Sequence, residues 1–496
     1  MRGSSEEGGA DLKLVKRIIL SAMLLGAAAI LAMPARQVEQ TPAGRTVIRY
    51  WEKWSGREAD AMRLTVDEFN ATVGREKGIW VEYISMSQIE QKTLVATAAN
   101  VPPDVAGLFC DQLSQFAAMN ALEPLDALAA KYGLTRECYK PVYYEGCLYD
   151  GHLYALPSTP SAAALFWNKK VFVDRADRLR ASGLDPTRPP RTIAELDRYS
   201  EALEVWSAPK DQGGRLIAAG YLEQQPGWWI EDVSYWFGGS IYDAEKHKIN
   251  FTDPKVVEAF DWLQSYSTRI GIPQLRGFFG SLPDNANFDA PVNPFMTGAV
   301  AMVKEGPWFA NIIDNQKPEM SRWRMSKDEE RKLSREQRKQ NYMWGAAPFP
   351  SAIPGVELTG FAGTDIFVIP STSSHKAEAF EFLAFASRQK QMERLCMLHC
   401  KNSPLAAMSR EFLDDHPNPY IDVFEALAAS PYVHGLPPVP IWPQIKRELR
   451  FVAQQVSAND ANQIPARQAL STAQARMQAE LDRFLAIQLR RVASGN

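Results

Sequence analysis

The sequence predicts an α/β protein of two lobes, with mostly parallel sheets and helices on both faces. Three observations predict it. At 496 residues, with 46% apolar and 10% aromatic side chains, the chain can fill more than one hydrophobic core. From Thr46 onward, strand and helix patterns alternate, which calls for parallel pairing through right-handed crossovers. At residues 295–308, FMTGAVAMVKEGPW, a Gly-ended turn, a short apolar run and a Gly-Pro turn lead directly into Trp308. That last pattern reads as the end of a helix at Phe295 and Met296, a strand over Ala299 to Val303, and a new helix with Pro307 in its first turn.

Residues 18–33, IILSAMLLGAAAILAM, are uncharged and follow Lys13, Lys16 and Arg17, the layout of an export signal. As a helix the run reaches about 24 Å, short of the roughly 30 Å hydrocarbon core. Cleavage near Ala35 and retention as an anchor are both open. Export to the periplasm or the cell surface is the expected localisation, with residues 1–35 as tail and signal or anchor. The polar RQVEQTPAGR over 36–45 reads as a linker.

In the body, VIRYW alternates as a strand and is followed by a helix with Met62, Val66 and Phe69 on one face. GIWVEYISM supplies the second strand, and VAGLFC a third that ends at Asp111. CLYDGHLYALP carries an Asp-Gly hairpin signature. Thr192 is placed to cap the helix AELDRYSEALEVW, with Glu195 three residues on. Ser374 is placed to cap a helix bearing Ala377, Phe380, Leu383 and Ala384. A last helix, from Pro465 to about Leu489, spaces Leu470, Ala473, Met477, Leu481 and Phe484 for packing. The insert SKDEERKLSREQRKQ, 326–340, reads as a solvated helical excursion or a docking surface for another protein.

Several segments together resemble the extracellular solute-binding proteins of family 1, the maltose-binding-like receptors of ABC importers. They are 295–308, PPDV with the NALEPLD turn, YWFGGSIYDAEKHKINFTDPKVVEAFDWL over 235–263, and HKAEAFEFLAFASRQKQMERL. The resemblance runs from about 46 to 490 and implies a type II periplasmic-binding-protein-like fold. It also implies a hinge-closing receptor that delivers a sugar, oligosaccharide or polyol to a membrane permease. On this reading 46–157 and 292–362 form the first lobe, and 158–291 and 363–496 the second. The crossovers, near Leu156-Pro157 and Phe361-Gly363, act as the hinge.

The net charge of −3 and the lack of a clustered basic face argue against nucleic acid. No Walker A loop, G-x-S-x-G elbow or H-E-x-x-H helix occurs, and no cofactor or metal is expected. Cys396 and Cys400 with His399 have no second ligand pair. A bridge between Cys138 and Cys147 would close a small loop, and a monomer is expected. Sugar rings need flat apolar platforms edged by polar groups. Among thirteen tryptophans, Trp54 after the first strand, and Trp228, Trp229, Trp236 and Trp308, are the candidate platforms. Asp111 and Asn402 are candidate polar contacts, while Trp262 and Trp344 read as packing. Two competing readings stand beside the receptor. One is an exported carbohydrate-active enzyme using Glu231 or Asp232. The other is a receptor that presents ligand to a membrane sensor through 326–340.

Overall fold

The computed structural model describes residues 42–224, 227–283, 290–321, 325–330, 332–457 and 464–494. The export run 18–33 and most of the linker lie outside them. The secondary-structure rhythm resolves into two mixed sheets, each with its own core. The first contains β1 (Thr46–Glu52), β2 (Ile79–Ser85), β3 (Val105–Phe109) and β4 (Leu156–Ala162). The second contains β5 (Ala164–Asn168), β6 (Val205–Trp206), β7 (Leu216–Tyr221), β8 (Val300–Glu305) and β9 (Trp344–Pro348). The chain then returns to the first through β10 (Thr359–Val368) and β11 (Tyr432–His434). The first sheet runs β11-β10-β3-β1-β2 with β4 also on β10, and the second runs β9-β5-β8-β7-β6.

Both sheets are mixed where mostly parallel sheets were expected. β1 pairs parallel with β3, and β8 parallel with β7. The strands that arrive from the other sheet pair antiparallel: β10 on β3 and β4, and β5 on β8 and β9. The chain switches sheets at Ala163, between β4 and β5, and again within residues 349–358, between β9 and β10. The first switch lies six residues beyond Pro157, which belongs to β4 and pairs with Ile366.

This pairing corrects the expected lobe boundaries. Residues 300–305 and 344–348 belong to the second sheet, so 292–362 does not return to the first lobe as a block. Residues 363–496 are also divided between lobes. Helices Lys376–Ala386 and Gln389–Leu398 bury Phe380, Phe382, Leu383 and Met392 in the first core, with Ile48, Tyr50 and Phe69. Helices Trp442–Ser457 and Ala466–Ser494 return to the second core, burying Leu449, Val452, Leu470 and Leu481 with Phe166, Phe260 and Trp344. Hydrophobic periodicity reports the type of an element and its buried face, and carries nothing about which sheet receives it.

Local signals fare better. The Thr192 side chain accepts from the Glu195 N–H at 3.1 Å. Leu148–Tyr149 pairs with His152–Leu153 across Asp150 and Gly151, both with positive φ, as an Asp-Gly hairpin requires. Trp262 and Trp344 are buried. Ser374 does not cap: helix Lys376–Ala386 starts after His375 with no side-chain cap, and the His375 N–H donates to Ser373 instead. Cys138 and Cys147 are free thiols, Cys147 sealed in the first core and Cys138 donating to the Gly133 carbonyl. The charged insert folds as helices Lys327–Glu330 and Arg335–Asn341, the second with a Ser334–Gln337 capping box. It is docked onto its own chain, with Arg335 donating to the Leu413 carbonyl, Arg338 to that of His416, and Lys339 paired with Asp422 at 2.6 Å. No described helix is long and apolar enough to cross a membrane.

Candidate functional site

The candidate side chains gather where β1, β3 and β10 of the first sheet meet β8 and the segments 222–224 and 227–232 of the second. β1 ends in Glu52, and Lys53 and Trp54 follow it. Glu52 accepts from Tyr50 Oη at 2.5 Å and from Lys53 Nζ at 3.3 Å. Lys53 also faces Asp365 of β10 at 3.4 Å. Lys401, on the turn after helix Gln389–Leu398, donates to Asp365 at 2.8 Å and to Thr159 at 3.1 Å. Burial pushes the Asp365 carboxyl up, but Lys401 and Lys53 outweigh it and hold the group well below the usual carboxylate range.

On the facing side, β8 ends in Lys304 and Glu305, and the Gly306-Pro307 turn follows. Gly306 is required by a close approach, because a Cβ there would lie 2.2 Å from the Trp308 ring. Trp308 thus folds back over its own turn at the start of helix Phe309–Gln316. Its ring meets Trp229 edge-on at 5.5 Å, and Trp229 lies 6.4 Å from Trp228. Trp228 is 37% exposed, and its Nε1 donates to Glu305 at 3.0 Å. Trp229 has a φ of 49°, a region unfavourable to a bulky residue. Its carbonyl is held by Lys304 Nζ at 3.0 Å and by the Asp232 N–H at 3.0 Å. Such strain persists where neighbours over-determine it, and it clusters at ligand sites.

Lys401 joins the two sides. Its ammonium lies 5.9 Å from the Trp54 ring and 5.4 Å from the Trp308 ring, one indole from each lobe. Trp54 itself is almost covered, packed edge-on against His399 at 4.6 Å. Two further contacts cross the cleft: Lys446 to Asp111 at 2.9 Å and Arg57 to Asn311 at 3.3 Å. Asp111 also lines a groove of about 720 Å³ between the lobes, bounded by Glu145, Tyr235, His434 and Trp442. Tyr235 and His434 stack there at 4.3 Å.

Of the residues picked from sequence, Trp228, Trp229 and Trp308 form one cluster, Trp54 is joined to it through Lys401, and Asp111 lines the groove with Tyr235 and Trp442. Trp236 and Asn402 join neither. Trp236 is fully buried, stacked 3.8 Å from Phe349, and Asn402 is sealed while donating to Tyr143 at 2.8 Å. A large ring beside a Gly-Gly turn is as well suited to core packing, which is what Trp236 does. Glu231 and Asp232 are sealed as well, and burial pushes both carboxyls up. The sequence reading missed Glu52, Lys53, Lys304, Glu305, Asp365, Lys401 and Lys446. Two had a signal: Lys304 and Glu305 interrupt an apolar strand at its carboxyl end, where an unforced charge has to serve something.

Burial pushes the Glu305 carboxyl up to about 8, against the hydrogen bonds from Trp228 and Gly306. A carboxyl with a raised folded pKa favours the folded state at low pH and withdraws that support as pH rises from the ordinary carboxylate range through the folded value. Glu305→Gln keeps an acceptor for Trp228 and removes the titration. The variant is therefore expected to lose less melting temperature than the parent between pH 6 and pH 9. Parallel pH profiles would show that Glu305 does not carry the effect.

Two mixed sheets exchanging strands, with indoles and carboxylates converging where their strand ends face one another, define a two-lobed ligand-binding protein. The model of the bacterial extracellular solute-binding proteins matches residues 56–393, and the chain belongs to that family. It is 21% identical to a maltotriose-binding protein of Pyrococcus abyssi over 56% of this chain, spanning about half of that relative (52%). It is 23% identical to the sn-glycerol-3-phosphate-binding periplasmic protein of Pectobacterium atrosepticum, over 68% of this chain and 69% of the relative. Among solved structures, the sugar-binding protein MalE of Xanthomonas citri superposes with a TM-score of 0.67 at 22% identity, covering 89% of this chain and 99% of that one. Members of the family are binding proteins rather than enzymes.

Proposed function

We propose that this solute-binding protein takes a sugar, oligosaccharide or related polyol and hands it, as a monomer, to the permease of an ABC importer. The carrying observation is the run of adjacent indoles, Trp308, Trp229 and Trp228, edged by Glu305, with Lys401 lying between the rings of Trp308 and Trp54. Indole faces match the apolar face of a pyranose, and the carboxylates match its hydroxyl rim. The relatives named for maltotriose and for sn-glycerol 3-phosphate support a polyhydroxylated ligand. Closure would rotate the lobes about Ala163 and 349–358, and a ligand touching both lobes would stabilise the closed state through its differential contacts.

The test is a thermal-shift screen of residues 46–496 against saccharides and polyols, since a ligand bound only by the native state raises its melting temperature. A concentration-dependent rise with one saccharide class, recovered unchanged, is expected. Trp308→Ala should then weaken that ligand by about 1–3 kcal/mol through loss of a stacking face, with little change in the melting temperature of the free protein. A shift produced only by amino acids would overturn the reading.

A further inference from the structure

The charges of the cleft select within this ligand class, and the selection rests on the carbohydrate reading above. We infer that the site rejects anionic ligands, phosphate esters in particular, because each cleft ammonium is already held by a carboxylate. Asp111, Asp365 and Glu223 thereby act as specificity-determining residues. Lys53 lies between Glu52 at 3.3 Å and Asp365 at 3.4 Å. Lys401 pairs with the same Asp365 at 2.8 Å. Lys304 pairs with Glu223 at 2.5 Å, and Lys446 with Asp111 at 2.9 Å.

Carboxyl groups remain beyond these pairs. Asp232 has both side-chain oxygens buried without a partner, Glu231 has one, and Glu305 carries a carboxyl beside Trp228. A phosphate ester needs unspent N–H donors or a helix N-terminus to replace its hydration. Two of the helix starts at the cleft have carboxyls beside them. Helix Gly56–Ala71 carries Glu58 in its first turn, and Glu305 accepts from the Gly306 N–H ahead of helix Phe309–Gln316. Arg57 is exposed at the rim and bonds Asn311, where water screens its charge. A neutral saccharide asks for acceptors and mixed donors, which paired lysines and carboxyls supply. An anion finds no free counter-charge there, because each ammonium is already spent on a carboxylate, and its desolvation goes uncompensated.

The experiment compares the parent saccharide from the screen, its 6-phosphate, and glycerol 3-phosphate by calorimetry at fixed ionic strength, on the wild type and on Asp111→Asn. The Asp111–Lys446 pair is part-exposed, with side chains 15% and 27% accessible, so the variant is expected to fold, and circular dichroism checks it. The wild type should bind the parent and leave both phosphates undetected. Asp111→Asn releases Lys446 and should bring glycerol 3-phosphate binding from undetected into the measurable range. Wild-type binding of the 6-phosphate as tight as the parent overturns the exclusion while leaving the solute-binding reading intact. A folded Asp111→Asn with no gain for the phosphate overturns the role of the pair. If the parent saccharide fails and glycerol 3-phosphate binds the wild type, the carbohydrate reading and the exclusion both fall.

Discussion

Asp365→Ala is expected to cost about 3–5 kcal/mol of stability, because it leaves two buried ammonium groups short of their shared counter-charge. Lys401 and Lys53 both depend on Asp365, at 2.8 and 3.4 Å, and all three side chains are less than a tenth exposed. Lys53 keeps Glu52, so the larger part of the loss falls on Lys401, which retains only the Thr159 hydroxyl among its hydrogen-bonded side chains. The effect has a definite pH sign. The Asp365 carboxyl is held below its unfolded value, so its contribution is fully present above about pH 4 and is lost as pH falls through the folded pKa. Urea melts of parent and variant at pH 7 and pH 3 check both parts. A wide gap between midpoints at pH 7 that narrows at pH 3 is expected, and coincident melts at pH 7 would show that the triad carries no stability.

The contrast between what sequence did and did not reveal follows from range. The stretch 295–308 was legible because Gly298, Gly306 and Pro307 punctuate locally: β8 covers Val300–Glu305, and helix Phe309–Gln316 begins one residue after Trp308. The positions of Trp308 and Asp111 were legible for the same reason, as residues that follow strands ending at Glu305 and Phe109. The assignment of β8 to a sheet was not legible, because an apolar run buried on both faces fits either lobe. The charge network was also hidden. Asp365 and Lys53 are far apart in sequence, and no local pattern indicates that one carboxylate will serve two lysines from different segments. Lys304 and Glu305 were the exception, two charges in an apolar strand, both essentially buried and each tied to the indole loop through Trp229 or Trp228.

Trp236→Ala is expected to lower stability by about 3–5 kcal/mol while leaving the ligand affinity of the folded protein unchanged, the reverse of the expectation for Trp308→Ala. The Trp236 ring is fully buried and stacks on Phe349 at 3.8 Å with 23° between planes. Lys304 Nζ sits 4.9 Å from its centroid. At the edge that carries the indole nitrogen lies Gly360 of β10, where φ is 138° and a Cβ would come within 2.9 Å of that nitrogen. The Trp236 carbonyl accepts from the Ala352 N–H at 2.9 Å. Phe349, Ala352 and Gly360 belong to or flank the stretch that carries the chain from β9 to β10, so this ring wedges the second crossing between the lobes. Truncation leaves a cavity there, which the rigid strand ends fill only in part. Denaturant melts report the stability, and calorimetry well below the transition reports the affinity. A lowered midpoint with unchanged affinity assigns Trp236 to the crossing. An unchanged midpoint with lost binding would return it to the ligand site.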